Sequence, residues 1–99
     1  MNFEIAPKST EIQANWYDAK LYCFTLNIDG RVGWRLPTKE ELSEIYQSEN
    51  DFVCTFYWSS TESSDDSAWL QIMSSGYQTS YYKTGGYAYV RAVRDINEL

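Results

Sequence analysis

Trp34-Arg35-Leu36-Pro37-Thr38-Lys39-Glu40-Glu41-Leu42 decides how this chain reads. Pro37 disfavours helical geometry for Leu36, so the segment arrives extended. Side chains alternate along extended backbone, which sends Trp34 and Leu36 to one side and Arg35 to the other. Thr38 then opens a helix. With Glu41 three residues on, it forms a capping box in which each side chain accepts a hydrogen bond from the other residue's amide. Leu42, Ile45 and Tyr46 give this helix an apolar stripe, which predicts an end near Gln47.

Upstream of that segment, Phe3-Glu4-Ile5 alternates apolar and polar, as a short strand does. Pro7 ends it. Trp16, Ala19, Cys23 and Leu26 then recur at helical spacing. Asn15 is the natural N-cap, and Asp18 sits in the first turn, where the helix dipole favours an acid. Asp29-Gly30 is expected to close this helix, because glycine accepts the left-handed conformation used at helix ends.

Downstream, the pattern changes to strands. Residues 57–61 read as one strand and 62–67 as a polar loop carrying Asp65 and Asp66. In 68–73, Ala68, Leu70 and Ile72 alternate with Trp69, Gln71 and Met73. Ser74-Ser75-Gly76 and Thr84-Gly85-Gly86 are turns on either side of a strand at 77–83. Residues 87–94 form the last strand, with Tyr89 and Arg91 opposite Val90 and Ala92. Turns this short imply an antiparallel meander. Two helices followed by a strand cluster make the fold α+β. No repeat or linker interrupts the chain, so residues 1–99 read as a single domain.

The bulk properties narrow the function. A chain of 11.6 kDa leaves about 5,800 Å² exposed from ~16,800 Å² of unfolded surface, enough burial for one core. Fourteen acids against eight bases give a net charge of −6. With no basic patch, neither a nucleic-acid backbone nor an anionic membrane surface is an expected partner. No apolar run reaches membrane-spanning length. Met1-Asn2-Phe3-Glu4 lacks the basic and apolar regions of a secretory signal, so the expected location is cytoplasmic or within an assembled particle. Cys23 and Cys54 fit no zinc motif, and the chain has no His. Two reduced thiols, no metal and no cofactor are expected.

Three sets of residues together resemble a known family. They are Trp16 with Cys23; Trp34 to Thr38 followed by Glu41-Leu42; and Tyr57-Trp58-Ser59-Ser60 followed by Ala68-Trp69 and Val90-Arg91-Ala92-Val93-Arg94. The chain resembles the domain family that includes the C-terminal domain of bacterial collagen-like adhesins. Arg35-Leu36-Pro37-Thr38 before an acidic helix is also similar to formylglycine-generating enzymes and their sulfatase-modifying relatives. Both resemblances imply a C-type-lectin-like fold: two helices flanking a curled antiparallel sheet, with first and last strands side by side and the termini adjacent. Relatives often carry an acid before the tryptophan, and here Gly33 takes that place. The enzyme branch oxidises a substrate thiol with a late cysteine pair and copper. Both cysteines here come early, so that site is not carried over.

Little other chemistry is available. Without His, Ser-His-Asp and Cys-His sites are excluded. Glu40-Glu41 already serves a helix cap, and Asp65-Asp66 reads first as a solvated loop pair. Neither Pro7 nor Pro37 belongs to the acid–Asn–Pro tripeptide of many calcium-dependent lectins. The remaining surface is aromatic: Trp69, Tyr77, Tyr81, Tyr82 and Tyr87, with Tyr89 beside them. Sugar rings stack on such faces, and protein partners use them as anchors. Alternation turns about half of these rings inward, and of the neighbours Tyr81 and Tyr82 one must face out. Trp34, Leu36, Pro37, Thr38 and Trp58 read as scaffold. Arg35, Arg91 and Arg94 read as partners of acids that tie the chain ends together. The expectation is a non-catalytic module that recognises a glycan or a protein through Asp65, Asp66 and the tyrosine-rich strands. The alternatives are a structural or assembly component, such as a small phage or surface-particle protein, and a degenerate relative of the formylglycine-generating enzymes.

Overall fold

Thr38 caps its helix in both directions. Its hydroxyl accepts from the Glu41 amide at 3.1 Å, and Glu41 Oε1 accepts from the Thr38 amide at 2.8 Å. In the computed structural model, which describes residues 2–48 and 50–96, this helix is α2, Lys39–Gln47. The extended approach to it is β3, Trp34–Arg35. The earlier helix is α1, Trp16–Thr25, capped by Asn15, whose side chain accepts from the Asp18 amide at 2.8 Å. The remaining strands are β1 (Phe3–Ile5), β2 (Ile12–Ala14), β4 (Phe56–Glu62), β5 (Ser67–Ile72), β6 (Gln78–Tyr82), β7 (Ala88–Val90) and β8 (Val93–Asp95).

These elements form an α+β fold with two sheets. One has the order β1-β8-β3 and the other β2-β7-β4-β5-β6. β8 runs antiparallel to both β1 and β3, with Phe3 opposite Asp95 and Trp34 opposite Arg94. The two ends of the described chain therefore lie side by side, as the resemblance implied.

Three expectations about where elements end and how strands pair need correction. First, Asp29-Gly30 does not close α1. The Thr25 hydroxyl turns back onto the Leu21 and Tyr22 carbonyls, and Leu26 is already extended. Asp29 and Gly30, with φ of 52° and 86°, instead form the turn of a small bridge between Ile28 and Arg31. Second, the meander stops at β6. β7 does not join β6; it lies across β4, parallel to it at Tyr57 and Tyr89, and antiparallel to β2. The 84–86 segment leaves β6 with Gly86 pressed on the Tyr81 ring, where a Cβ would sit 2.1 Å from a ring carbon. It then delivers Ala88 and Val90, both buried, opposite Ala14 and Ile12. Third, the expected last strand is two strands. At Arg91-Ala92 the chain passes from one sheet to the other, and Arg91 turns into the interior.

The core lies on both faces of the larger sheet. On one face, Trp58, Ala68, Leu70, Ala88 and Val90 pack with Trp16, Ala19 and Cys23 of α1 and with Trp34 and Leu36. On the other, Tyr57 packs with Leu42 and Ile45 of α2, with Phe3, Phe52 and Val93. The buried indoles have polar partners: Trp58 donates to the Ala14 carbonyl at 2.9 Å and Trp16 to the Ser59 carbonyl at 2.9 Å. Gln71, fully buried, donates to the Leu42 carbonyl at 3.0 Å and accepts from the Gln78 amide group at 2.7 Å. Tyr46 is not a core member of the α2 stripe. Its ring lies over the turn after β5, where a Cβ on Gly76 would meet it at 2.5 Å. Total accessible surface is 5906 Å², close to the value expected from mass alone.

Candidate functional site: an aromatic groove on the larger sheet

Alternation sorts the tyrosines. Thr79 and Tyr81 of β6 stand opposite Leu70 and Ala68 of β5, on the Trp58 face of the sheet. Tyr77, two residues before Thr79, belongs to the same side. Phe56 begins β4 on this face, and Tyr87 reaches it from the segment before β7. An open groove of roughly 220 Å³ results, lined by Phe56, Leu70, Thr79, Tyr81, Tyr87 and Ala88. Its rings are well exposed: Phe56 41%, Tyr81 50% and Tyr87 70%, with Tyr77 at 66%. No charged side chain lines it. The Tyr81 ring is fixed from beneath by Gly86 and lies 6.4 Å from Trp58, centroid to centroid.

The structure divides the residues grouped from the sequence. Tyr81 and Tyr87 line the groove, and Tyr77 shares its face. Tyr82, although exposed, points to the reverse face, as does Trp69. Trp69 is half-buried beneath the Lys39 ammonium, 4.3 Å from its ring centroid, a cation–π contact. Phe56 was missed; counting back two residues from Trp58 along the strand places it on the groove face.

Asp65 and Asp66 lie at the far end of β5 from Tyr77, in a loop that is largely self-satisfied. Asp66 Oδ1 accepts from the Ser64 and Ser67 hydroxyls at 2.8 and 3.2 Å, and these bonds hold its carboxyl below the ordinary value. The Asp65 carbonyl accepts from Lys83 Nζ at 2.8 Å, and Glu62 pairs with the same ammonium at 2.6 Å. Lys83 is buried against the Trp16 ring, 4.6 Å away. Among the described residues, no group of three or more His, Cys, Asp or Glu is arranged to hold a metal ion.

The three arginines pair with acids and join distant parts of the chain. Arg35 forks onto both oxygens of Glu41 at 2.7 and 2.8 Å and also binds Asp95 at 2.6 Å, tying α2 to β8. Its guanidinium holds the Glu41 and Asp95 carboxyls below their ordinary values. Arg94 binds Glu4 at 2.6 Å, joining β8 to β1. Arg91 is the buried one. It donates to the Ala6 carbonyl, to Glu11 Oε2 at 2.8 Å and to Asp51 Oδ1 at 2.7 Å, and it stacks on Phe52 at 4.7 Å. The Tyr57 hydroxyl also donates to Glu11, at 2.9 Å, and burial pushes its pKa up. Both cysteines are free thiols, Cys23 buried and Cys54 half-buried. Among the described residues, no helix is long and apolar enough to cross a membrane.

A small α+β domain emerges, closed at its ends by paired strands and carrying four exposed rings, Phe56, Tyr77, Tyr81 and Tyr87, on one face of the larger sheet. The family model described as the Lcl C-terminal domain matches residues 4–94, and the chain belongs to that family. This agrees with the adhesin-domain resemblance drawn from Trp34 to Thr38 and the last strands. No curated protein matches the chain.

Proposed function

We propose that this domain is a non-catalytic recognition module on a C-type-lectin-like scaffold, and that the aromatic groove is its ligand surface, taking a glycan ring or a protein side chain. The observation that carries this reading is the set of exposed rings, Phe56, Tyr77, Tyr81 and Tyr87, gathered on one sheet face around an uncharged groove. Rigid rings lose little conformational freedom on binding and offer a large contact area. The groove is smaller than a drug-sized cavity, which starts at about 300 Å³, so it suits one ring or side chain of a larger ligand. The side-by-side end strands support the scaffold assignment. Asp65 and Asp66 serve the loop in this reading.

A glycan array and a pull-down from host lysate, each run with wild type, Tyr81→Ala and Tyr87→Ala, test it. Truncating an anchor ring should weaken binding by about 2 kcal/mol, some thirtyfold. Wild-type binding no greater than background in both assays sinks the proposal, and so does binding that ignores both variants.

One observation favours a second reading, a structural or assembly component. Tyr17, Leu21 and Phe24 are exposed along the outer side of α1 at helical spacing. Such a row is unusual on a surface without a partner. Association that Phe24→Ser abolishes, measured by light scattering, supports this reading, and association that Phe24→Ser leaves intact refutes it.

A further inference from the structure

β6 is an edge of the larger sheet, and among the described residues it pairs only with β5. In an antiparallel pair, alternate residues turn both backbone groups toward the neighbouring strand. The Ile72 amide donates to the Tyr77 carbonyl at 2.8 Å, and the Lys83 amide donates to the Asp66 carbonyl at 2.8 Å. Tyr77, Thr79, Tyr81 and Lys83 therefore face β5. Gln78, Ser80 and Tyr82 present their amides and carbonyls outward.

Edge strands commonly carry a charge, a proline, a bulge or a cover that stops another strand from adding. Gln78-Thr79-Ser80-Tyr81-Tyr82 has no charge and no proline, its register with β5 is continuous, and Ser80, Tyr81 and Tyr82 are exposed. The opposite edge, β2, has only three residues.

We propose that a second copy of this chain adds to β6 in antiparallel sense, about a two-fold axis at Ser80. The register follows from the pattern. The outward residues are symmetric about Ser80, so Ser80 meets Ser80 of the second copy, and Gln78 meets Tyr82. All three pairs fall in the closely bonded class, which supplies six backbone hydrogen bonds. Between them, Thr79 opposes Tyr81 on the groove face, a β-branched–aromatic pair of the kind that stabilises sheets. The interface is isologous, as a closed dimer requires.

Charge selects the antiparallel sense, and the self-complementary pattern of β6 selects a second copy as occupant. The chain carries −6, and its loop acids Asp65 and Asp66 lie at the Tyr82 end of β6. Antiparallel docking sets that loop beside the uncharged Ser74-Ser75-Gly76-Tyr77 turn of the second copy. Parallel docking sets acid against acid. An uncharged strand with a β-branched or aromatic residue opposite Tyr81 pairs well with this edge, and β6 supplies Thr79 there without a charge along its length. The two grooves then lie on the same face of a ten-stranded sheet, giving a bivalent aromatic surface.

Sedimentation equilibrium and amide hydrogen exchange on the intact chain, without ligand, test the dimer independently of what the groove binds. The mass is expected to rise from 11.6 kDa toward double with concentration. Over the same range the amides of Gln78, Ser80 and Tyr82 gain protection, while Thr79 and Tyr81 are protected throughout. Ser80→Pro removes only an outward amide, which an edge strand tolerates. Ser80→Lys sets two cations together at the axis. Each should raise the dimer Kd by about tenfold or more with the far-ultraviolet circular dichroism and thermal midpoint retained. A single-chain mass at every concentration overturns the proposal. So does a dimer indifferent to both variants, or one broken by Phe24→Ser in their place.

Discussion

Arg91→Met is expected to be among the most damaging single changes in this domain. Methionine keeps much of the aliphatic bulk beside Phe52 but takes the guanidinium from three acceptors, leaving Glu11 Oε2 with only the Tyr57 hydroxyl. The Ala6 carbonyl and Glu11 are the costly ones, because the Glu11 side chain is only 8% exposed. Removing one partner from a buried ion pair costs about 3 to 5 kcal/mol, since the other charge stays behind unpaired. The Asp51 arm adds little, because that side chain is 57% exposed and water replaces the arginine there. Domains of this size hold about 5 to 15 kcal/mol in total. The substitution therefore removes a large share and lowers the thermal midpoint by roughly 15 to 30 °C. Urea denaturation followed by tryptophan fluorescence reads the loss directly. The companion variant isolates the cause: Glu11→Gln in the Arg91→Met background should restore about 1 to 2 kcal/mol by removing the orphaned charge. A loss under about 1 kcal/mol for Arg91→Met, or no recovery in the double variant, refutes the reasoning.

Other outcomes follow from the same structure. Glu41, Asp51 and Asp95 have folded pKa values held down by hydrogen bonds from Arg35, Arg91 and Arg35 respectively. Their contribution is fully present above the ordinary carboxylate range and is lost as pH falls below about 4. Urea midpoints should hold near neutrality and drop in acid; a midpoint that rises on acidification contradicts the pairing. Gly86→Ala drives a Cβ into the Tyr81 ring and should cost about 1 to 3 kcal/mol, much of it absent in a Tyr81→Ala background. Equal cost in both backgrounds removes the ring as the cause. Burial pushes the Cys23 thiol up to about 12, so a disulfide reagent at pH 8 should label Cys54 first and Cys23 only on unfolding. Mass mapping that finds Cys23 labelled first in the folded chain contradicts this.

The parts of the fold read correctly from sequence are those governed by neighbours along the chain. Asn15 and Thr38 cap helices through contacts three residues away, and Phe3-Glu4-Ile5 alternates on its own. Apart from the end of α1, where the Thr25 hydroxyl turns back on its own helix, the parts misread depend on distant partners. Thr84-Gly85-Gly86 carries the turn chemistry of a hairpin, and only the fit of Gly86 under Tyr81 and of Ala88 beside Ala14 sends the chain elsewhere. β2 has three residues and too short a period to recognise. Arg91 looks like Arg35 in sequence, yet one is buried and the other half-exposed, because charge pattern carries no information on depth. The groove was half legible. The sequence points to Tyr81 and Tyr87 but equally to Tyr82 and Trp69, because a row of aromatics does not by itself say which face of the sheet each takes.

The pairing of β1 with β8 bears on how the domain carries mechanical load. Phe3 faces Asp95 across this antiparallel pair, so a pull applied at both ends peels the strands apart from one side. Their hydrogen bonds then break singly, as in a zipper, and the domain yields at low force. A pull that enters at Asp95 and leaves through the groove face instead loads β8 against both β1 and β3 at once, with the Arg35–Asp95 and Arg94–Glu4 pairs sharing the load. With a ligand in the proposed groove and the load entering at Asp95, the domain would resist tension that opens it when both ends are pulled.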